Sequence, residues 1–285
     1  MIRATPLLNV ADLRVQFPGK GWFGKPTEVL HGVDICVDYG ETLGIVGESG
    51  SGKTTIGRAI LGLVSPSSGV IEFDGDDITH AIPRRRRELA TSIQVVFQDP
   101  YSSLNPTMTV EVILAEPLIV KGFSSKDARK RVRDLLDRVG LPQDAGGRLP
   151  REFSGGQRQR VAIARALAPE PRLIVCDEPV SALDLSTQAT VLDLLIDLQR
   201  TTGVAYVFIS HDLAVVRHIS HRVAAIHRGE IVEQGPTAQV TLNPSHPYTQ
   251  RLLLSAPVAD PEGQMKRRAR RQELIAQDDL AATSS

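Results

Sequence analysis

The chain has 285 residues, 41% of them hydrophobic and 23% charged, with 33 basic residues balanced by 33 acidic ones. That length holds one large α/β domain plus a smaller insertion or tail, and the composition is that of an ordinary globular protein rather than a disordered or fibrous one. A net charge of +0 excludes a global field that would draw the molecule to nucleic acid or to a membrane surface.

No run approaches the roughly 18 to 20 apolar residues that span a bilayer. Met1-Ile2-Arg3-Ala4-Thr5-Pro6 lacks the apolar core of a signal peptide. The expectation is a protein that neither crosses a membrane nor is exported by that route; at a membrane, a partner would hold it. Leu7 to Phe17 alternates apolar and polar residues and predicts a strand, Pro18 to Pro26 a loop, and Glu28 to Val37 a second strand antiparallel to the first. Cys36 in that stretch, and Cys176 after Leu173-Ile174-Val175, read as small core residues rather than a disulfide or metal site. This usage suits a reducing compartment.

Thr42-Leu43-Gly44-Ile45-Val46 reads as a short buried strand, and Thr55 to Leu63 as a helix with Ile56, Ile60 and Leu63 on one face. Between them, Gly47-Glu48-Ser49-Gly50-Ser51-Gly52-Lys53-Thr54 fits the phosphate-cradle pattern G-x-x-x-x-G-K-[ST]. The glycines let backbone N–H groups converge on one point, and the helix N-terminus, where Thr55 follows, adds positive potential there. Lys53 can reach terminal phosphates and the Thr54 hydroxyl can ligate Mg²⁺, so ATP and Mg²⁺ are the expected ligands. Phe17, Trp22 and Phe23 are the aromatics near enough to stack on an adenine; a plain packing role fits each of them as well.

Ser65 to Gly69 then reads as a turn, Val70 to Phe73 as a strand closed by Asp74-Gly75-Asp76, and the arginine run Arg84 to Arg87 as a solvated helix start. Ser92 to Phe97 is apolar enough for a core strand and delivers Gln98 at its end. From about 99 to 168 the texture turns helical and predicts an insertion into the α/β core. Ser124 with Asp127 caps a helix carrying Ala128, Val132, Leu135, Leu136 and Val139. Leu173-Ile174-Val175-Cys176-Asp177-Glu178 is an apolar strand ending in two acids. A helix from about Thr187 to Leu198 leads to the strand Ala205 to Ile209, which ends at Ser210-His211-Asp212. Val223 to Ile226 and Ile231 to Glu233 read as short strands around Arg228-Gly229, and Pro247 to Leu254 as a helix. From residue 261 on, charge dominates and a solvated tail is expected.

Strands alternating with helices predict a mostly parallel sheet covered on both faces, and in such sheets the carboxyl ends of the strands carry the ligand site. Gly47, Gln98, Asp177, Glu178 and His211 all fall at or just past strand ends. Asp177 can hold Mg²⁺, through water, alongside Thr54 and Gln98. Glu178 can orient or deprotonate an attacking water, and His211 can donate to a terminal phosphate. The other six histidines read as surface or structural.

These residues carry a resemblance. Phe153-Ser154-Gly155-Gly156-Gln157 resembles the LSGGQ signature of ABC transporter ATPases, with Phe in place of the leading Leu. Val180-Ser181-Ala182-Leu183-Asp184 resembles their D-loop, Asp177-Glu178 their Walker B pair, and Ser210-His211-Asp212 their H-switch. The resemblance spans about residues 7 to 257. Val96 to Pro106 and His246-Pro247-Tyr248-Thr249 are similar to the dipeptide/oligopeptide/nickel importer branch.

The resemblance implies a P-loop NTPase core with an antiparallel β-subdomain and an inserted α-helical subdomain. Two ATPase subunits, identical or homologous, would meet head to tail around two ATPs. Lys53, Thr54, Gln98, Asp177, Glu178 and His211 would act from one side. Ser154, Gly155, Gly156 and Gln157, with Asp184, would face the nucleotide of the other. Two integral membrane permeases and an extracytoplasmic solute-binding protein are the implied further partners, which would hold the chain at the cytoplasmic face of the membrane. Some members of that branch hold an iron–sulfur cluster on C-terminal cysteines; no cysteine follows Cys176, so none is expected here. An accessory ATPase of a soluble enzyme complex, such as carbon–phosphorus lyase, is the alternative. A nucleic-acid machine is disfavoured by the single P-loop and balanced charge, so no direct nucleic-acid contact is expected.

Overall fold

The computed structural model of the protein describes residues 5–19 and 25–255. In chain order the elements are β1 (Leu8–Phe17), β2 (Thr27–Val37), β3 (Thr42–Val46), α1 (Lys53–Ile60), β4 (Ser68–Phe73), β5 (Asp76–Asp77), α2 (Pro83–Leu89) and β6 (Ile93–Val96). A helical stretch follows, with α3 (Pro100–Ser103), α4 (Val110–Val120), α5 (Ser125–Arg138), short 3-10 turns at Gln143–Gly147 and Pro150–Glu152, and α6 (Gly155–Leu167). The chain then runs through β7 (Leu173–Asp177), α7 (Leu185–Thr202), β8 (Ala205–Ser210), α8 (Leu213–Ile219), β9 (Arg222–His227), β10 (Glu230–Pro236), α9 (Thr237–Leu242) and α10 (Pro247–Ser255).

Two sheets result. β2-β1-β4-β5 is antiparallel throughout, and the central sheet has the order β10-β9-β3-β8-β7-β6, parallel except where β10 returns against β9. The period-2 alternation of the central strands sorts their side chains into two cores. Leu43, Ile45, Leu173, Val175, Val207 and Ile209 pack with α1 and the antiparallel sheet. Val46, Ile174, Cys176, Tyr206 and Phe208 pack with the helices on the other face. Both faces of the parallel strands are therefore covered, which is why those strands read as continuous apolar runs.

Register fixes the functional edge. Val46 lies opposite Ser210, Ile209 opposite Asp177 and Cys176 opposite Val96, so the carboxyl ends of β3, β8, β7 and β6 finish side by side.

Several expectations need correction. The helix after the phosphate loop stops at Ile60, because Gly62 takes a left-handed φ of 71° and turns the chain away; Leu63 lies past the helix and is 62% exposed. β4 starts at Ser68 rather than Val70, with Gly69 packed where a Cβ would stand 2.4 Å from the Asp12 carbonyl oxygen. Within the arginine run, Arg86 is not a solvated side chain: its guanidinium is half-buried and donates to the Ile78 carbonyl at 2.6 Å. The short helices α8 and α9 add to the elements read from the sequence. Trp22, Phe23 and the charged tail from residue 261 lie outside the described residues.

Candidate active site

The loop between β3 and α1 is shaped by what its glycines must avoid. A Cβ on Gly47 would stand 2.3 Å from the Ile226 carbonyl oxygen and 2.7 Å from Ser51 Oγ, so only glycine lets the loop lie against β9. Gly50 and Gly52 hold positive φ values of 80° and 110°. Behind the loop, Arg228 and Gly229, both at positive φ, form the two-residue turn joining β9 to β10. The Gly229 N–H donates to the Ser51 carbonyl at 2.9 Å, and Tyr248 Oη accepts from the Glu48 N–H at 2.8 Å.

Lys53, at the first position of α1, is buried, and its amine donates to the carbonyls of Gly47 and Glu48 at 2.8 Å each. Burial lowers its pKa from the usual lysine range, against the opposing pull of Glu178, Asp177 and Glu48. Ser51 Oγ is buried without a protein hydrogen-bond partner among the described residues, at the mouth of a helix N-terminus. A buried orphan hydroxyl, left-handed glycines, an amine and free helix N–H groups in one place fit a chain of phosphates.

Thr54 Oγ1 donates to Asp177 Oδ1 at 3.0 Å, bridging the first turn of α1 and the end of β7. Burial raises the Asp177 carboxyl above its usual range, the Thr54 bond partly offsetting this. A hydroxyl and a carboxylate so placed are hard oxygen donors of the kind Mg²⁺ takes. Gln98, exposed two residues past β6, makes no hydrogen bond to either among the described residues.

Glu178 follows Asp177 in the left-handed region at φ 50°, an uncommon conformation for a side chain of this kind. Its N–H donates to the Ile209 carbonyl at 3.0 Å, which holds the turn against β8. Its Oε2 then meets His211 Nδ1 at 3.1 Å, with His211 more than half exposed and Glu178 largely covered.

The signature lies elsewhere. Ser154 caps α6, its hydroxyl accepting from the Gln157 N–H at 3.3 Å while Gln157 Oε1 accepts from the Ser154 N–H at 3.0 Å. Gly155 and Gly156 open the helix, and a Cβ on Gly156 would stand 2.3 Å from Thr187 Cγ2. Asp184 caps α7: it accepts from the Thr187 N–H at 3.0 Å and from the Ser186 hydroxyl at 2.6 Å, and these bonds hold its carboxyl far below the usual range. A cavity of about 260 Å³ lies here, lined in part by Ser154, Gly156, Gln157 and Thr187. Among the described residues no hydrogen bond joins this cluster to the phosphate loop.

Phe17 stands 39% exposed at the end of β1, opposite Thr27. Two features went unread in the sequence. Tyr248 reaches the phosphate loop although it lies 200 residues away from Glu48 in the chain. Arg158, buried on α6, sits 3.8 Å over the ring of Tyr101 and donates to the Pro150 carbonyl at 2.6 Å, tying the segment after Gln98 to the signature helix. Both contacts join segments far apart in the chain, and no local run of residues signals them.

Comparison with known proteins places this geometry. The family described as ABC transporter matches residues 30–181, and the one described as Oligopeptide/dipeptide transporter, C-terminal region, matches residues 232–282, past the limit to which the motifs alone extend. Glutathione import ATP-binding protein GsiA of Salmonella paratyphi A is 50% identical over 273 residues, 94% of this chain and 44% of the relative. The Escherichia coli K12 protein of that name is 49% identical over 285 residues, 98% of this chain and 45% of its own length. The chain thus spans less than half the length of the curated relatives it matches.

The solved dimeric post-hydrolysis state of the ATP-binding cassette MJ0796, bound to ADP and Pi, is 30% identical with a TM-score of 0.72, covering 81% of this chain and 98% of that one. The structure of cbiO1 from Clostridium perfringens, part of the ABC transporter complex cbiONQ, gives 28% identity and a TM-score of 0.76 over 92% of this chain and 99% of that one. Among the described residues no helix is long and apolar enough to cross a membrane. Fold, sequence and the family match agree on a single placement: the chain belongs to the ABC transporter family, with the fold of its ATP-binding cassettes.

Proposed function

We propose that this chain energises an importer of small peptides, hydrolysing ATP at the cytoplasmic face of the membrane, where two permease subunits hold it and a solute-binding protein delivers cargo. The observation that carries the reading is the alignment of four parallel strand ends, which sets the phosphate loop, Gln98, Asp177 with Glu178, and His211 on one edge. The peptide class is supported by the match of residues 232–282 and by the identity to a relative named for import of glutathione, itself a tripeptide.

In this reading Lys53 neutralises the terminal phosphates and the loop N–H groups orient them. Thr54 and Gln98, with Asp177 through water, would hold Mg²⁺, which when bound would draw charge from the phosphate oxygens. Glu178 takes the proton of the attacking water. With its proton on Nε2, His211 donates to the γ-phosphate, and its Nδ1 accepts from Glu178 once that carboxyl has taken the proton of water. The signature half-site of this chain, Ser154 to Gln157 with Asp184, serves the nucleotide of a second cassette. The separation of the two half-sites within one chain supports that head-to-tail pairing, in which loss of the γ-phosphate lets the halves part.

The test is purification from detergent extract followed by nucleotide hydrolysis. The expected result is co-purification of integral membrane subunits, Mg²⁺-dependent hydrolysis stimulated by peptide-loaded binding protein, and its loss in Lys53→Ala. Soluble partners only would replace import by the accessory-enzyme reading.

A further inference from the structure

The His246-Pro247-Tyr248-Thr249 segment does more than end the fold. Tyr248 opens α10 with its ring 2% exposed, packed at 4.0 Å on the ring of His227 at the end of β9. Its hydroxyl accepts from the Glu48 N–H at 2.8 Å. That N–H belongs to the peptide group whose carbonyl, on Gly47, accepts from Lys53 Nζ at 2.8 Å. One planar peptide therefore lies between the Tyr248 hydroxyl and the Lys53 amine, and rotating it breaks both bonds.

The far end of this relay is itself fixed. Glu233 on β10, 9% exposed, accepts from the Ser245 N–H at 2.7 Å, the Ser245 hydroxyl at 2.8 Å and the His246 N–H at 3.2 Å, which pins the start of α10 to the sheet edge. A phenylalanine at 248 would fill the same space. The hydroxyl is needed only as an acceptor for the loop.

We propose that Tyr248 is a positioning residue for nucleotide binding: it fixes the Gly47–Glu48 peptide that holds Lys53, so that the C-terminal segment sets the loop's affinity for terminal phosphates. The proposal rests on the reading of the phosphate loop as the ATP site.

The experiment uses the full chain as wild type, Tyr248→Phe and Lys53→Ala, with a fluorescent ATP analogue and Mg²⁺, amide hydrogen exchange at Glu48, and thermal melts. The expected result is a protected Glu48 amide in the wild type and faster exchange in Tyr248→Phe. Affinity should weaken by about 5-fold, the worth of one hydrogen bond, at a melting temperature within about 5 °C of the wild type. Wild-type affinity in Tyr248→Phe, or free exchange of Glu48 in the wild type, overturns the proposal. So does a loss of affinity that only accompanies a collapse in melting temperature, since the hydroxyl would then be structural. Binding insensitive to Lys53→Ala would instead remove the ATP-site reading itself.

Discussion

His211 Nδ1 lies 3.1 Å from Oε2 of Glu178, so the residue after β8 and the residue after β7 meet across one strand boundary. The contact exists because Glu178 turns through φ 50° as its own N–H reaches the Ile209 carbonyl, which aims the carboxylate along the sheet edge rather than into the core. Glu178→Gln keeps the size and one hydrogen-bonding oxygen but cannot accept the proton of water. The expected outcome is ATP affinity within about 2-fold of the wild type and phosphate release slowed at least about 100-fold in the assembled complex. Near-normal turnover would take the proton-accepting role away from Glu178.

How much of this was legible depends on range. The phosphate loop, the Walker B pair and the signature are local: each is a run of residues whose conformation is set by its own glycines, its own cap or the strand before it. Strand β3 was read from Thr42 to Val46, as the structure has it. Leu63 was misjudged because helical periodicity carries no information about where Gly62 takes a left-handed φ. Arg86 was misjudged because a run of four arginines looks solvated until the Ile78 carbonyl is found beneath it. The Tyr101–Arg158 and Glu48–Tyr248 contacts join segments far apart in the chain, and no local pattern encodes such pairings.

The bond between Thr54 Oγ1 and Asp177 Oδ1 gives a pH dependence. Burial raises the Asp177 pKa, so in the proposed Mg²⁺ site a proton would compete with the metal for this carboxylate at higher pH than for an exposed aspartate. As pH falls toward the raised value the protonated fraction grows, and the apparent Mg²⁺ requirement for hydrolysis should rise. Mg²⁺ titrations of activity at a series of pH values check this. Asp177→Asn should need far more Mg²⁺ at every pH and lose the dependence.

Glu233 provides a stability test with a definite sign. Burial alone would push its carboxyl up, but the bonds from Ser245 and His246 outweigh it and hold the pKa below the ordinary 4.5. A carboxyl lowered by folding contributes stability that is present above about pH 4.5 and is lost as pH falls through the folded value. Glu233→Gln should therefore cost about 1–3 kcal/mol at neutral pH, and the gap to the wild type should narrow in acid. Urea unfolding at both pH values measures it; a gap that does not change with pH would mean that the charge on Glu233 plays no part.

The proposed role of the signature turn can be tested apart from nucleotide binding with one methyl group. A Cβ on Gly156 would stand 2.3 Å from Thr187 Cγ2, far inside contact distance, so Gly156→Ala must push the start of α6 away from α7. Ser154 and Gln157 ride on that turn, locked to each other by their paired bonds, and would move with it. The phosphate loop shares no hydrogen bond with this turn among the described residues, so single-chain ATP binding should stay within about 2-fold while turnover in the assembled complex falls about 10- to 100-fold, on the scale set by misplaced positioning groups. Thr187→Ser removes Cγ2 but keeps the hydroxyl that bonds the Asp184 carboxylate at 2.7 Å, so the cap of α7 survives. The double variant Gly156→Ala/Thr187→Ser should then recover most of the lost turnover. Recovery ties the loss to that one steric contact; a double variant as slow as Gly156→Ala would place the defect in the helix backbone instead.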